Sequence, residues 1–115
     1  MPMPDPRVGE VWDVDFDPTM GNEQGGIRPA LVISVAEFNA IDHRLRIVVP
    51  ITSAGKRLSN QIWIAPPEGG LTTTSVLTCE QAKSRSLIRF KRKRGAVEAD
   101  TLETVQRLVG AFIGR

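Results

Sequence analysis

Three short segments of this 115-residue chain combine residue types that can do chemistry, and each lies where an apolar run meets a loop. The first reads Gly21-Asn22-Glu23-Gln24-Gly25-Gly26-Ile27-Arg28-Pro29-Ala30-Leu31. Its glycines let the backbone reach φ > 0 without a Cβ clash, and Pro29 biases Arg28 toward an extended conformation. A guanidinium is thereby set at the mouth of a buried strand, with the Glu23 carboxylate and the Gln24 amide on the loop beside it. An arginine fixed in this way can grip a phosphate through parallel N–H···O bonds. The second segment, Ile47-Val48-Val49-Pro50-Ile51-Thr52-Ser53, is an apolar strand that ends in two hydroxyls. The third, Cys79-Glu80-Gln81-Ala82, follows the strand-like Ser75–Thr78 and presents an amide at Gln81.

Missing residue types narrow the chemistry further. The chain has one histidine, His43, and no tyrosine. Acid–base work by two histidines of one chain is therefore impossible, and no His/Cys metal cluster can be assembled. No metal site and no cofactor are expected. His43, between Asp42 and Arg44, reads as a surface residue, and Cys79 as core filling rather than a nucleophile. Each chemical reading has a plain structural alternative. Arg28 could pair with Glu23 or with an N-terminal aspartate, and Thr52 could be a turn hydroxyl that satisfies backbone. Trp12 and Trp63 alternate along strands, which favours core over base stacking.

Hydrophobic content of 41% and charged content of 24% suit one globular domain, residues 1–115, with a single modest core. Residues 1–6, with three prolines, read as a flexible lead-in without signal-peptide character. No apolar run approaches the ~20 residues needed to span a bilayer, and a lone cysteine suits a reducing compartment. A cytoplasmic protein with no membrane association is expected. The net charge is only +2, but it is unevenly distributed. Six acids and one base precede residue 24, whereas residues 83–94 hold seven bases and no acid. Such a run attracts polyanions by counterion release, and it could equally receive an acidic protein segment.

The positioning elements are mostly strands. Val8–Asp15 alternates apolar and polar, residues 29–35 read as a strand buried on both faces, and Ala36–Asp42 as a helical turn. Arg44–Ile51, Gln61–Ala65, Leu71–Thr78 and Phe90–Val97 supply further strands, with Gly55-Lys56-Arg57 in an exposed loop. One helix closes the chain. Asp100 can N-cap it with Glu103 reaching back. Leu102, Val105, Leu108, Val109, Phe112 and Ile113 form its apolar face, and Gly114 stops it. Short strands followed by one helix predict a mainly β (α+β) fold, a small curved antiparallel sheet or barrel.

With the opening Gly9-Glu10-Val11-Trp12-Asp13-Val14-Asp15, the three segments resemble the MazF/PemK family of toxin endoribonucleases, from about Arg7 to Phe112. The resemblance implies an SH3-like barrel that pairs as a homodimer, a fold shared with the gyrase poison CcdB. Arg28 and Thr52 match the family's catalytic pair, and Gln81 a position lining its site; Glu80 departs from the usual aspartate. It further implies metal-independent, sequence-selective cleavage of single-stranded RNA by its own 2′-hydroxyl, silenced by a cognate acidic, MazE-like antitoxin. Arginine, with an ordinary pKa above ~12, exchanges protons poorly near neutrality, so Glu23 or solvent is expected to move them. Gln24, Ser53, Lys56, Arg57, Gln81 and Arg85 are the expected substrate contacts. A CcdB-like, non-enzymatic gyrase poison is the runner-up. A degenerate barrel that only binds RNA or a partner comes third, since every matched site position is filled.

Overall fold

β-Branched and apolar runs become strands wherever their side chains can be buried on a pleated surface. The computed structural model describes residues 3–18, 25–53 and 61–114. Over these the chain forms β1 (Glu10–Asp15), β2 (Ile27–Val32), α1 (Ala36–Asn39), β3 (Leu45–Thr52), β4 (Ile62–Ile64), β5 (Ser75–Leu77), β6 (Lys83–Ser86), β7 (Phe90–Ala96) and α2 (Ala99–Phe112). Every pairing is antiparallel, in the order β4-β5-β3-β2-β1-β7, with β6 also on β3. Strand β6 has no apolar alternation, and in the sequence it reads only as part of the basic run.

Strand β3 is the hub. One edge pairs with β2, while the other is shared by β6, along Leu45–Val48, and β5, along Ile51–Thr52. Pro50, which has no N–H to offer a ladder, falls at the hand-over between the two. Its carbonyl accepts the backbone N–H of Thr78 at 2.9 Å and the Thr78 hydroxyl at 2.6 Å.

Alternate residues of the central strands feed two cores. Leu31, Ile33, Val49 and Ile51 join Val11, Leu77, Cys79 and Val105 beneath α2. Ala30, Val32 and Val48 join Val14, Phe16, Leu87 and Phe90 on the opposite face. Strand β2 is thus buried on both faces, as its sequence predicts. Strand β1 departs from simple alternation: Val11 and Val14, three residues apart, are both fully buried. Its pairing with β7 shifts register twice, between Val11 and Trp12 and between Asp13 and Val14. Each shift leaves an extra β7 residue and tightens the local twist.

The expected small antiparallel architecture with a C-terminal helix is present, but among the described residues no hydrogen-bonded ladder closes a barrel. Instead a 3₁₀ turn, Glu68–Gly70, lies against β7. Gly70 has φ +69°, and a Cβ on it would stand 1.9 Å from the Arg94 carbonyl oxygen. One on Gly95 would stand 2.8 Å from the Gly70 nitrogen, so two glycines make this backbone contact possible.

The same turn caps α2. The Glu68 carboxylate accepts the Glu98 backbone N–H at 3.1 Å and the Thr101 hydroxyl at 2.6 Å. The helix therefore starts one residue before the predicted Asp100 cap, and its N-terminal anion comes from thirty residues upstream, where the helix dipole and free N–H groups favour it. Val105 is fully buried, but Phe112 and Ile113, predicted on the apolar face, are 47% and 75% exposed. Gly114, at φ +90°, ends the helix as predicted. At the other terminus, the Arg46 side chain, 5% exposed, donates to the Pro6 carbonyl at 2.8 Å and pairs with Asp5 at 3.1 Å. The hold on the lead-in thus begins at Asp5.

Gly70→Ala should largely abolish folding, whereas Glu68→Ala should lower stability by about 1 kcal/mol, typical of a lost helix cap. Thermal melts followed by circular dichroism would check both. A Gly70→Ala protein melting like wild type would refute the close backbone approach.

Candidate functional site

The β2–β3 ladder pairs Ala30 with Pro50, Leu31 with Val49 and Val32 with Val48, and then stops. Continued one step further, the register would set Pro29 opposite Ile51, and one more would set Arg28 opposite Thr52. Pro29, which still pairs with Asp13 of β1, has no N–H for β3. The two strands part where Arg28 and Thr52 share a face, on the side away from α2. Opposed positions of an antiparallel pair are natural contact partners, and here the lost pairing leaves room between them.

That room is a cavity of about 40 Å³ lined by Phe16, Arg28, Pro50, Ile51, Thr52, Thr78, Gln81 and Lys83. A cavity of this size has room for groups the size of a phosphoryl oxygen. Arg28 is half-buried, and its Nε donates to the Gly25 carbonyl at 3.1 Å, which orients the fork. Thr52 is fixed on its other side by pairing with Val76. Gln81 sits in a 3₁₀ turn, Cys79–Gln81, whose backbone N–H donates to the Thr78 carbonyl at 2.9 Å. Phe16, buried in the lower core, carries the Arg85 guanidinium 5.3 Å and the Lys83 ammonium 5.8 Å from its ring centroid.

Two larger hollows flank this cavity. One, of about 460 Å³, is lined by Glu80, Gln81, Ala82, Lys83 and Arg85. The other, of about 180 Å³, is lined by Arg28, Pro29, Ile51, Ser53, Leu71, Thr72, Thr73, Ser75 and Arg94. Arg28 borders the small cavity and the second hollow; Gln81 and Lys83 border the small cavity and the first. The structure thus brings Arg28, Thr52 and Gln81 to one point, with Ser53 on one flank and Arg85 on the other. Glu23, Gln24, Lys56 and Arg57 lie outside the described residues. Sequence reasoning missed Phe16 and Thr78 as site residues, and Arg94 and Lys83 were visible only as members of the basic run.

Among the described residues no acid pairs with Arg28, because the N-terminal aspartates are engaged elsewhere. Asp5 pairs with Arg46, Asp15 with Arg89 at 3.8 Å, and Asp13 with Arg92 at 3.4 Å and Arg94 at 3.0 Å. Glu10 pairs with Lys93 at 2.9 Å. The expected separation of an acidic front from a basic run is corrected here: β1 and β7 are neighbours, so Arg89, Arg92, Lys93 and Arg94 meet acids across the strands. Burial raises the Glu10 carboxyl, but hydrogen bonds from the Trp12 indole, the Arg7 backbone N–H and Lys93 outweigh it and hold the pKa below its ordinary value. Burial, aided by the charge of Glu80, pushes the Cys79 thiol up to about 11, which suits core filling.

Trp12 is half-buried, edge-on to Phe90 with centroids 6.1 Å apart, and is no open stacking platform. His43 lies before the far end of β3 from Thr52, its Nδ1 accepting the Leu45 N–H at 3.1 Å. Among the described residues no cluster of three or more His, Cys, Asp or Glu could hold a metal ion, and no helix is long and apolar enough to cross a membrane.

A small antiparallel sheet with one packed helix, carrying an arginine and a threonine across a parted strand pair, defines a narrow class of proteins. Residues 7–113 match the family model for the PemK-like, MazF-like toxins of type II toxin–antitoxin systems, and the chain belongs to that family. Endoribonuclease PemK from Escherichia coli is 41% identical over 81 residues, 70% of this chain and 60% of that protein, so the chain spans somewhat under two thirds of that relative. MazF from Deinococcus radiodurans superposes with a TM-score of 0.82 at 29% identity, covering 96% of this chain and 97% of the other. A MazE–MazF structure from the same organism matches with a TM-score of 0.72 at 26% identity, covering 95% of each chain.

Because the folded pKa of Glu10 lies below its unfolded value, its stabilisation is present above about pH 4.5 and is lost as the pH falls through the folded value. Glu10→Gln should therefore melt below wild type at neutral pH, with the gap closing in acid. A gap unchanged well below pH 4.5 would instead assign the effect to packing.

Proposed function

We propose that the chain is a toxin endoribonuclease that cuts single-stranded RNA without a metal ion. The observation that carries this is the parting of β2 from β3, which leaves Arg28 and Thr52 on one face with a phosphoryl-sized gap between them. RNA supplies its own nucleophile: the 2′-oxygen attacks phosphorus, the bond to the 5′-oxygen breaks, and the products are a 2′,3′-cyclic phosphate and a 5′-hydroxyl. The protein must align the three atoms in line and stabilise the charge that builds on the phosphoryl oxygens. Arg28 offers a planar fork held from behind by Gly25, and Thr52 adds a hydroxyl. Glu23 or water takes the proton from the 2′-hydroxyl and returns one to the leaving oxygen. Gln81, Ser53 and Arg85, with Gln24, Lys56 and Arg57, hold the flanking nucleotides.

The family and the name of the Escherichia coli relative support the activity, and the MazE–MazF structure supports an antitoxin as partner. In this account the toxin acts in the cytoplasm as a homodimer. A disordered acidic antitoxin segment competes with RNA for Arg28 and its flanks and is removed by proteolysis when free. The gyrase-poison alternative gives the Arg28–Thr52 opening no task.

Incubating the protein with a long RNA, with and without EDTA, and mapping the ends tests the proposal. Cleavage should survive chelation; loss on EDTA that magnesium restores would sink the metal-free route. Arg28→Lys, which keeps the charge but loses the fork, should fall on the order of 10²-fold or more, close to Arg28→Ala. Thr52→Ala should lose turnover with a smaller loss of RNA affinity. A lysine variant retaining most activity would reduce Arg28 to a point charge.

A further inference from the structure

Four successive bases, Lys91 to Arg94, run along β7, and three of them face solvent. Arg94 does not. In the β1–β7 ladder Gly95 pairs with Val11 and Lys93 with Trp12, which leaves Arg94 as the extra residue of a bulge. A bulge re-aims the side chain it frees. The Arg94 side chain is 18% exposed, against 71% for Arg92 and 52% for Lys93. It reaches over β1, where Nη1 meets Asp13 at 3.0 Å and Nη2 meets the Gly70 carbonyl at 3.4 Å. These contacts engage two of its five N–H donors.

Beyond them lies the 180 Å³ hollow that Arg94 shares with Arg28. Among the described residues its lining includes Arg28, Arg94, Ser53, Thr72, Thr73 and Ser75 and no acid. Asp13 is not part of that lining, and its other oxygen already faces Arg92. Arg94 keeps N–H donors beyond those that meet Asp13 and Gly70, and a hollow of this lining can take an anion on them. Thr52 does not border this hollow, and Arg94 does not border the small cavity. The two cavities are distinct but adjoin, since both have Arg28 and Ile51 in their lining.

We propose that Arg94 is a second phosphate-binding residue of the site, holding the phosphodiester next to the scissile one, with Asp13 and the Gly70 carbonyl as its positioning contacts. The assignment rests on the RNA-cleavage function proposed above. Arg94 touches substrate away from the reacting atoms, so it governs binding more than turnover.

Two measurements test this: steady-state cleavage of RNA, and salt-dependent binding of a fully 2′-O-methylated copy, which lacks the attacking hydroxyl. Arg94→Gln should raise KM about tenfold, as expected for one lost charge-assisted contact, with a smaller change in kcat. It should also reduce the slope of log affinity against log salt by about one. Arg94→Lys, which melts closer to wild type if Asp13 is satisfied, should restore the salt slope. Arg92→Gln should leave KM near wild type. A lower melting point for Arg94→Gln with unchanged KM and salt slope would make Arg94 a structural clamp and overturn the proposal. Equal effects from Arg92→Gln and Arg94→Gln would overturn it too, by showing diffuse charge instead of a site. If wild type fails to cleave any RNA, the catalytic function falls, while the dependence of methylated-RNA binding on Arg94 still decides this proposal.

Discussion

Two strands that would otherwise pair to their ends are prevented from doing so, and the rest of the site is arranged around that gap. Pro29 withholds an N–H from the β2–β3 ladder, and the partner strand turns its other edge to β5 at Ile51 and Thr52. Pairing Arg28 directly with Thr52 would have filled the gap with backbone hydrogen bonds. Stopping two residues short leaves the two side chains aligned by sheet register but separated by empty volume. The flanking residues serve the same end: Phe16 closes the floor, and Thr78 ties the Pro50 carbonyl to the turn that carries Gln81. The site is therefore a property of the sheet, which is stiff, and only its rim belongs to loops.

Charge is organised by the same sheet. The acids of β1 stand between β2, which carries Arg28, and β7, which carries most of the basic run. They neutralise β7 on the outer side and leave the Arg28 side without a carboxylate among the described residues. Exposed pairs of this kind add little stability singly. Their effect is on where positive potential survives: around Arg28 and Arg85, and not along the whole of β7. Clefts lined by one sign of charge concentrate field in this manner.

Much of this was legible in the sequence because the signals are local. An arginine before proline at the start of an apolar run, and a threonine at the end of another, mark strand termini whatever the fold. Helical spacing from Leu102 to Val109 marks an amphipathic helix, and Gly114 its end. What stayed hidden depends on partners distant in the chain. Strand β6 has the composition of a loop and is a strand only because β3 offers an edge to Lys83–Ser86. The helix cap was assigned to Asp100 because no local rule points to Glu68. Arg94 looked like one of four equivalent cations, since a bulge is a relation between two strands and has no signature in either alone. The opposition of the acidic and basic segments was likewise invisible until β1 and β7 lay side by side.

The Glu68 carboxylate has a consequence in time as well as in space. A fourteen-residue helix is marginal by itself in water, and this one draws its N-terminal hydrogen-bond acceptor from a turn that packs against β7 at Gly95. The helix has this acceptor only once the turn is seated, so the seating of the turn and the hold on the helix start are coupled.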